Sequence, residues 1–233
     1  MTSRRFILRA AAPDAIGILA DVMGHLASHR LNVVESQDFG DAATKQFFIW
    51  AKFEAEEGFN ETAFRDGFSV LAERRGIDWS LRAEADQPKA LVLVSKGDHC
   101  LNDLLYRHRR GRLAADIVAV ASNHPNCQWH ADRHDIPFHH IPVTKETKAA
   151  AEAELLNLID ATKAEIIVLA RYMQVLSDNL TRKLEGRCIN IHHSALPSFK
   201  GARPYHQAHA RGVKLMGATA HYVTADLDEG PII

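Results

Sequence analysis

The feature that most constrains the fold is the segment ALVLVS, residues 90–95, in which five apolar residues follow one another. A strand without a polar face has to be buried on both sides, as the strands of parallel sheets are. Helical and strand-like segments alternate after it, through the strands EIIVLA (165–170) and CINIH (188–192). We therefore predict a doubly wound, mostly parallel α/β sheet over residues 90–233. Ligands of such sheets bind at the carboxyl ends of the strands.

Residues 1–84 show a different pattern, in which the order of elements is βαββαβ. A strand at 4–9 precedes a helix whose apolar stripe includes Ile18, Val22 and Leu26. A strand from Asn32 to Phe39 and its hairpin partner follow, then a helix with Phe64, Phe68 and Leu71 on one face, then a last strand. This order predicts a ferredoxin-like unit with both helices on one face of an antiparallel sheet. The polar segment 85–89 is the predicted linker.

Composition excludes several classes of protein. The 28 basic and 29 acidic residues give a net charge of -1, without the basic excess of a nucleic-acid binder. No stretch approaches the roughly 20 apolar residues that span a bilayer, so no membrane contact is expected. Cys100, Cys127 and Cys188 follow no metal-binding spacing, which favours a reduced, cytoplasmic setting.

The segment CINIHHSALPSFKGARPYHQA, residues 188–208, is the richest in chemistry-bearing side chains. Alternation along the strand places Asn190 and His192 on one face, with Ile191 and His193 on the other. An amide and an imidazole side by side can polarise a carbonyl group and stabilise an oxyanion. From spacing alone it is equally open that Asn190 caps a turn and that His192 is an ordinary polar residue.

A second segment, GATAHYVTADLDEGPII at residues 217–233, supplies carboxylates. His221 lies on its strand, and Asp226, Asp228 and Glu229 lie in the loop that follows. A carboxylate near a histidine can raise the pKa of the imidazole and can orient a water molecule. Composition alone favours a solvated acidic turn.

Together these two segments resemble the formyltransferase-fold enzymes that use 10-formyltetrahydrofolate. The resemblance covers residues from about 90 to the end and implies a catalytic set of Asn190, His192 and Asp228. The preceding unit, with PDAIGILADV at residues 13–22, resembles an ACT regulatory domain. An ACT unit followed by this fold is the layout of the formyltetrahydrofolate deformylases. The resemblance thus implies hydrolysis of 10-formyltetrahydrofolate to formate and tetrahydrofolate, which supplies formate for purine synthesis and balances one-carbon pools.

Three details favour a deformylase over a transferase. His193 lies where the transferases usually have proline. The segment SKGDHCLNDLL (95–105) lacks the small residues of a phosphate cradle, and Asp98 would repel a phosphate. The transferases also lack the ACT-like unit.

The resemblance further implies where the folate substrate binds, with no separate cofactor. The segment ARYMQVLS, residues 170–177, would hold the pterin ring, although its residues could also begin the next helix. The loop from Val223 to Leu227 would form the other wall. The predicted substrate-binding residues are Met173, Gln174, Val175, Leu176, His221, Val223 and Leu227. The histidines lack the spacing of helical metal sites such as HExxH, so no metal is predicted.

The ACT-like unit implies control by an amino acid, with glycine or methionine as candidates, and a homo-oligomer formed through paired units. The predicted effector contacts are Asp14 and Ile16 in the first strand–helix turn, with Asn32 across from them. An ACT-like unit that only dimerises is the alternative.

Two other functions stay open. One is formyl transfer to an amine acceptor such as glycinamide ribonucleotide, and the other is a non-catalytic amino-acid sensor. The chain ends at DLDEGPII without a closing helix. We therefore expect the catalytic domain to be incomplete at its C-terminus.

Overall fold

A computed structural model describes residues 4–199 and 203–233. The chain divides into two compact units, Met1–Asp86 and Gln87–Ile233. The division falls inside the predicted linker, 85–89. In the described part of the chain, no helix has the length and apolarity needed to cross a bilayer.

The first unit has the predicted βαββαβ order. Its elements are β1 (Arg4–Pro13), α1 (Ile18–Ser28), β2 (Asn32–Asp41), β3 (Gln46–Ala55), α2 (Glu61–Arg75) and β4 (Asp78–Ala83). The sheet is antiparallel with strand order β2-β3-β1-β4. The helix α2 begins where the Asn60 side chain accepts a hydrogen bond from Ala63 N at 3.0 Å, and it ends at the left-handed Gly76.

Aromatic side chains dominate the core of the first unit. The predicted helical stripes are buried, and Phe64 and Phe68 of α2 stack with a ring-centroid distance of 5.8 Å. Phe64 lies against Phe53 of β3, which in turn stacks on Phe6 of β1. Because apolar residues alternate along β1, the side chains of one sheet face meet the two helices.

The structure separates Asn32 from the other two predicted effector contacts. Asn32 pairs with Glu54, opposite the start of β1, whereas Asp14 follows the end of β1 and its backbone nitrogen donates to Lys45 O. At about 3.3 Å per strand residue, the two positions are roughly 30 Å apart. The prediction that Asn32 lies across from Asp14 is therefore wrong within one chain. Asp14 lines a cavity of about 500 Å³ beside α1, but Ile16 is fully exposed and does not line it.

The second unit is the predicted mostly parallel α/β domain. Its elements are β5 (Lys89–Val94), α3 (His99–Arg109), β6 (Asp116–Ser122), a 3₁₀ turn (Pro125–Cys127), α4 (Gln128–Asp132), β7 (Phe138–His140), α5 (Lys148–Thr162), β8 (Ile166–Leu169), α6 (Asp178–Lys183), β9 (Cys188–His192), α7 (Pro204–Ala210) and β10 (Thr219–Tyr222). The strand order is β10-β9-β8-β5-β6-β7. Of the described strands of this six-stranded sheet, only β10 runs antiparallel to its neighbour.

The apolar segment that begins this domain is buried on both faces, as predicted. Leu91 and Leu93 of β5 pack in one hydrophobic cluster together with α5. Val92 and Val94 pack in a second cluster together with α3. The sheet therefore separates two apolar layers, and its polar groups collect at the carboxyl ends of the strands.

Candidate active site

A cleft with a cavity volume of about 380 Å³ opens at the carboxyl ends of β8 and β9. Three chain segments form most of its lining: the residues after β8, the end of β9, and β10 with its following loop. All ten residues predicted to act in catalysis or substrate binding line this one cleft: Met173, Gln174, Val175, Leu176, Asn190, His192, His221, Val223, Leu227 and Asp228. Segments far apart in the sequence thus meet because their strands are neighbours in the sheet.

The pairing of β9 with β10 brings Asn190 opposite His221. The Asn190 Nδ2 atom lies 3.1 Å from His221 Nε2, and His221 Nδ1 lies 2.9 Å from Tyr222 O. A carbonyl oxygen only accepts, so Nδ1 carries a proton and donates to Tyr222. In the neutral ring, Nε2 then accepts from the amide of Asn190. This contact orients the amide in the cleft.

His192 and Asp228 form the second pair of the site. His192 Nε2 donates to Phe199 O at 2.9 Å, and His192 Nδ1 lies 3.4 Å from Asp228 Oδ2. The other carboxylate oxygen of Asp228 lies 3.7 Å from His221 Nε2. Both histidines and Asp228 are at most 8% exposed. A buried carboxylate thus lies between two imidazoles, one on each strand.

The loop that carries Asp228 is held against β10 by backbone contacts. Tyr222 N donates to Pro231 O at 2.8 Å, and His221 pairs with Ile232 in an antiparallel bridge. At Gly230, a Cβ atom would lie 1.8 Å from Tyr222 O, so only glycine fits this approach. Asp228 itself is left-handed, with φ 57°, a conformation that Asp and Asn adopt more readily than most residues.

The apolar wall of the cleft is a loop and not the start of a helix. The residues after β8 are irregular, and α6 begins only at Asp178 with Ser177 as its N-cap. Met173 and Val175 are each 60% exposed, whereas Leu176 is buried in the core. The backbone nitrogen of Met173 donates to Ser95 Oγ at 2.8 Å, which fixes the loop to the end of β5. The interpretation of this segment as a helix start is therefore wrong.

His193 lies in the cleft, contrary to the strand alternation that predicts it on the opposite face from His192. The strand β9 ends at His192, so the period of two no longer applies to the next residue. The His193 ring lies 5.4 Å from the rings of both His192 and Tyr205. Burial lowers the pKa of His193, and the charge of Arg171 lowers it further.

Several other residues line the cleft. Five of them lie inside the two segments predicted to form its walls: Arg171, Tyr172, Thr224, Ala225 and Asp226. The residues outside those segments, which were not predicted, are Leu169, Thr181, Ile191 and Arg203. Leu169 and Ile191 lie at the ends of β8 and β9, so the rule that sites form at strand ends could have found them. Among residues 4–199 and 203–233, no three or more His, Cys, Asp and Glu side chains are grouped to hold a metal ion.

The family model described as "Formyl transferase" matches residues 88–233. A formyltetrahydrofolate deformylase of Corynebacterium sp. (strain P-1) is 50% identical over 230 residues, which are 98% of this chain and 80% of that relative. The chain belongs to the formyltetrahydrofolate deformylase family. A crystal structure of a formyltetrahydrofolate deformylase from Burkholderia mallei is similar with a TM-score of 0.91 and 49% identity, covering 99% of this chain and 82% of that one.

The similarity to transferases covers a smaller part of the chain than the similarity to the deformylases. A phosphoribosylglycinamide formyltransferase from Coxiella burnetii matches with a TM-score of 0.58 and 35% identity. It covers 64% of this chain and 71% of its own. The deformylases, in contrast, match both units of the chain.

Proposed function

We propose that this chain hydrolyses 10-formyltetrahydrofolate to formate and tetrahydrofolate. The observation that carries the proposal is the grouping of Asn190, His192 and Asp228 in one cleft of a chain from the deformylase family. Water adds to the formyl carbon, and the bond between that carbon and N10 breaks. N10 takes up a proton, and the formyl carbon leaves as formate.

Asp228 is proposed to hold the attacking water and to accept its proton. Its carboxylate is buried, so few water molecules compete for it. General base catalysis of this kind typically contributes about 10²- to 10⁴-fold to a rate. The 3.4 Å between His192 Nδ1 and Asp228 Oδ2 exceeds the length of a strong charge-assisted hydrogen bond. We propose that the two groups have different partners: the carboxylate accepts from the water molecule, and His192 donates to the formyl oxygen.

Asn190 and His192 are proposed to stabilise the oxyanion of the tetrahedral intermediate. The amide nitrogen of Asn190 carries two hydrogens, and His221 accepts one of them. The other is available for the formyl oxygen. Nε2 of His192 already donates to Phe199 O, so a second proton on the ring would make Nδ1 a further donor to the same oxygen as negative charge develops there.

The folate is proposed to bind with its pterin ring between two walls of the cleft. Met173, Gln174, Val175 and Leu176 form one wall. Val223 and Leu227 belong to the other, beside His221. The exposed apolar side chains of Met173, Val175 and Leu227 support this assignment, because a planar ring can cover them.

Product analysis without an acceptor tests the proposal. The protein is incubated with 10-formyltetrahydrofolate in the presence and absence of glycinamide ribonucleotide. Equal amounts of formate and tetrahydrofolate, formed with or without the amine, are the expected result. Formyl transfer that requires the amine would indicate a transferase. Folate binding without any product would indicate a non-catalytic sensor.

The first unit is proposed to be an ACT-like regulatory unit that pairs in a homo-oligomer and binds glycine or methionine. Its βαββαβ order and the cavity beside Asp14 and α1 support this proposal. Because Asn32 lies at the other end of the sheet, a site that uses both residues would need Asn32 from a second copy. Equilibrium dialysis of the full chain with each amino acid tests this. No binding of either would favour a unit that only dimerises.

A cytoplasmic location is also proposed, together with a supply of formate for purine synthesis. Cys100, Cys127 and Cys188 are all free thiols, as is usual in a reducing compartment. Deletion of the gene, followed by growth with and without added formate, tests the metabolic role.

A further inference from the structure

A second cavity of about 420 Å³ adjoins the cleft. The residues that end β5 and β6 line it, and three residues line both cavities: Arg171, Met173 and Gln174. The proposed catalytic residues lie only in the first cavity. The proposed reaction therefore gives the second cavity no role.

The charged side chains around the second cavity are both cationic. Lys96 and Arg171 line it together with His124, and no carboxylate does. The nearest acidic neighbour in the sequence, Asp98, has its carboxylate 2.9 Å from His130 Nε2. Within the described ranges, neither Lys96 nor Arg171 has a carboxylate within ion-pair distance. The local charge therefore favours an anion.

A buried amide gives this cavity a second, independent feature. Asn123 is only 7% exposed, and its Oδ1 accepts a hydrogen bond of 2.6 Å from Ser95 Oγ. Ser95 Oγ in turn accepts from Met173 N. The serine hydroxyl proton is therefore donated to Asn123 Oδ1, and the amide NH₂ group points away from Ser95. No residue in the described part of the chain accepts from Asn123 Nδ2. In the described part of the chain, every side-chain nitrogen that is fully buried has a hydrogen-bond partner. Because Asn123 Nδ2 has none, it is accessible, and the cavity that Asn123 lines gives access to it.

The loops around Asn123 are cross-linked and form a built site. Cys127 Sγ and Ser122 Oγ both donate to Ser95 O, at 3.4 and 3.5 Å. His124 N donates to Ser122 Oγ at 3.1 Å. These bonds hold the ends of β5 and β6 together. The two N–H groups of Asn123 are thereby preorganised for a ligand that accepts hydrogen bonds.

We propose that the second cavity binds a small carboxylate and that its ligand is the formate released in the cleft. This inference rests on the proposed hydrolysis. Formate forms beside the carboxylate of Asp228, and two like charges in a buried site repel each other. Arg171 faces both cavities, so it can guide the anion away from Asp228. The Asn123 amide and Lys96 then hold the formate while tetrahydrofolate still occupies the cleft.

Equilibrium binding of ¹⁴C-formate to the full chain tests the inference. Lys96→Met removes an exposed charge, and Asn123→Asp replaces the NH₂ donor by an oxygen of the same shape. We expect each variant to raise the Kd of formate at least about tenfold, which is about 1.4 kcal/mol. The matched control is Lys183→Met, on α6 outside both cavities, which should leave the Kd unchanged. Saturating tetrahydrofolate should also leave it unchanged.

Several results would overturn the inference. No formate binding by the wild-type chain, or equal binding by Lys96→Met and the control, would do so. Competition between tetrahydrofolate and formate would show that the second cavity binds a carboxylate of the folate. Tight binding of inorganic phosphate in place of formate would show that it is a phosphate site. Formate release without formate binding defeats this inference alone. Absence of formate release in the product analysis defeats the proposed function.

Discussion

The two units of the chain differ in what they bury. Among the described residues of the first unit, every buried side chain is apolar, and phenylalanine rings fill the centre. Over the described ranges 4–199 and 203–233, nine buried residues are polar or charged, and all nine lie in the second unit: Ser95, Ser122, Asn123, His130, Thr181, His192, Ser194, His221 and Asp228. Burial of a polar group lowers stability unless hydrogen bonds compensate for its lost hydration.

The difference distinguishes buried side chains that stabilise the fold from buried side chains that are available for chemistry. Seven of the nine buried polar residues follow or end β5, β6, β9 or β10, or lie in the loops beside them. Five of these seven line the two cavities in which we propose that substrate and product bind: Ser95, Asn123, His192, His221 and Asp228. In the first unit, helices also pack on a sheet, but the core between them contains no buried polar side chain among the described residues. Substitution of a buried side chain in the first unit should therefore affect stability, and substitution of a buried polar side chain at the two cavities should affect activity.

The largest effect is expected in the aromatic core. Phe64→Ala should lower the free energy of unfolding by about 3–5 kcal/mol, the usual loss for a buried phenylalanine. Phe64 is 0% exposed and contacts three other phenylalanine rings. Urea unfolding followed by the fluorescence of Trp50 and Trp79, which lie in the same unit, measures the loss. Val70→Ala on the same helix, at a 69% exposed position, is the control. An equal effect of both would contradict the comparison.

The second effect concerns the loop that carries Asp228. Gly230→Ala places a Cβ atom against the backbone oxygen of Tyr222, and backbone atoms cannot give way cheaply. The loop must shift, and a displacement of about 1 Å of a catalytic group can lower a rate about 10²-fold. The kcat of formate release should fall by this order. Gly217→Ala, which meets no atom within 4 Å, should keep the wild-type rate. Equal rates in both variants would show that the loop position is unimportant.

The smallest expected effect is the change of stability with pH that results from the lowered pKa of His193. Burial and Arg171 lower its pKa below the ordinary value of 6.5, so the folded chain resists protonation there. As the pH falls from 6.5 towards the lowered pKa, the unfolded chain binds the proton first and the folded state loses stability. An NMR titration of the His193 ring should show a midpoint below 6.5, and Arg171→Gln should raise that midpoint. A midpoint above 6.5 would contradict the assigned environment.

Local patterns in the sequence predict most of the fold. The βαββαβ order of the first unit and the strand at 188–192 agree with the prediction, because apolar spacing and strand length are local properties. The antiparallel pairing of β10 was not predicted, since it depends on contacts between distant segments. Asn32 was misplaced for the same reason: its position depends on the register with β3.

Site residues were predictable where they lie together in one sequence segment. They were less predictable where the site is formed by several segments that are distant in the sequence. All ten predicted cleft residues line the cleft, although their roles stay predictions. His193 was assigned to the wrong face because the end of β9 is not visible in the alternation. The second cavity escaped prediction because Ser95, Asn123 and Arg171 come from the ends of three different strands, and their proximity depends on strand order.

Asp228→Asn, with formate release and unfolding measured on the same protein, tests the separation of stability from chemistry most directly. Asn retains the size of Asp and tolerates the left-handed conformation, so the free energy of unfolding should stay within about 1 kcal/mol of wild type. The rate of formate release should fall by about 10³-fold, because the base is lost. A wild-type rate in this variant would contradict the account.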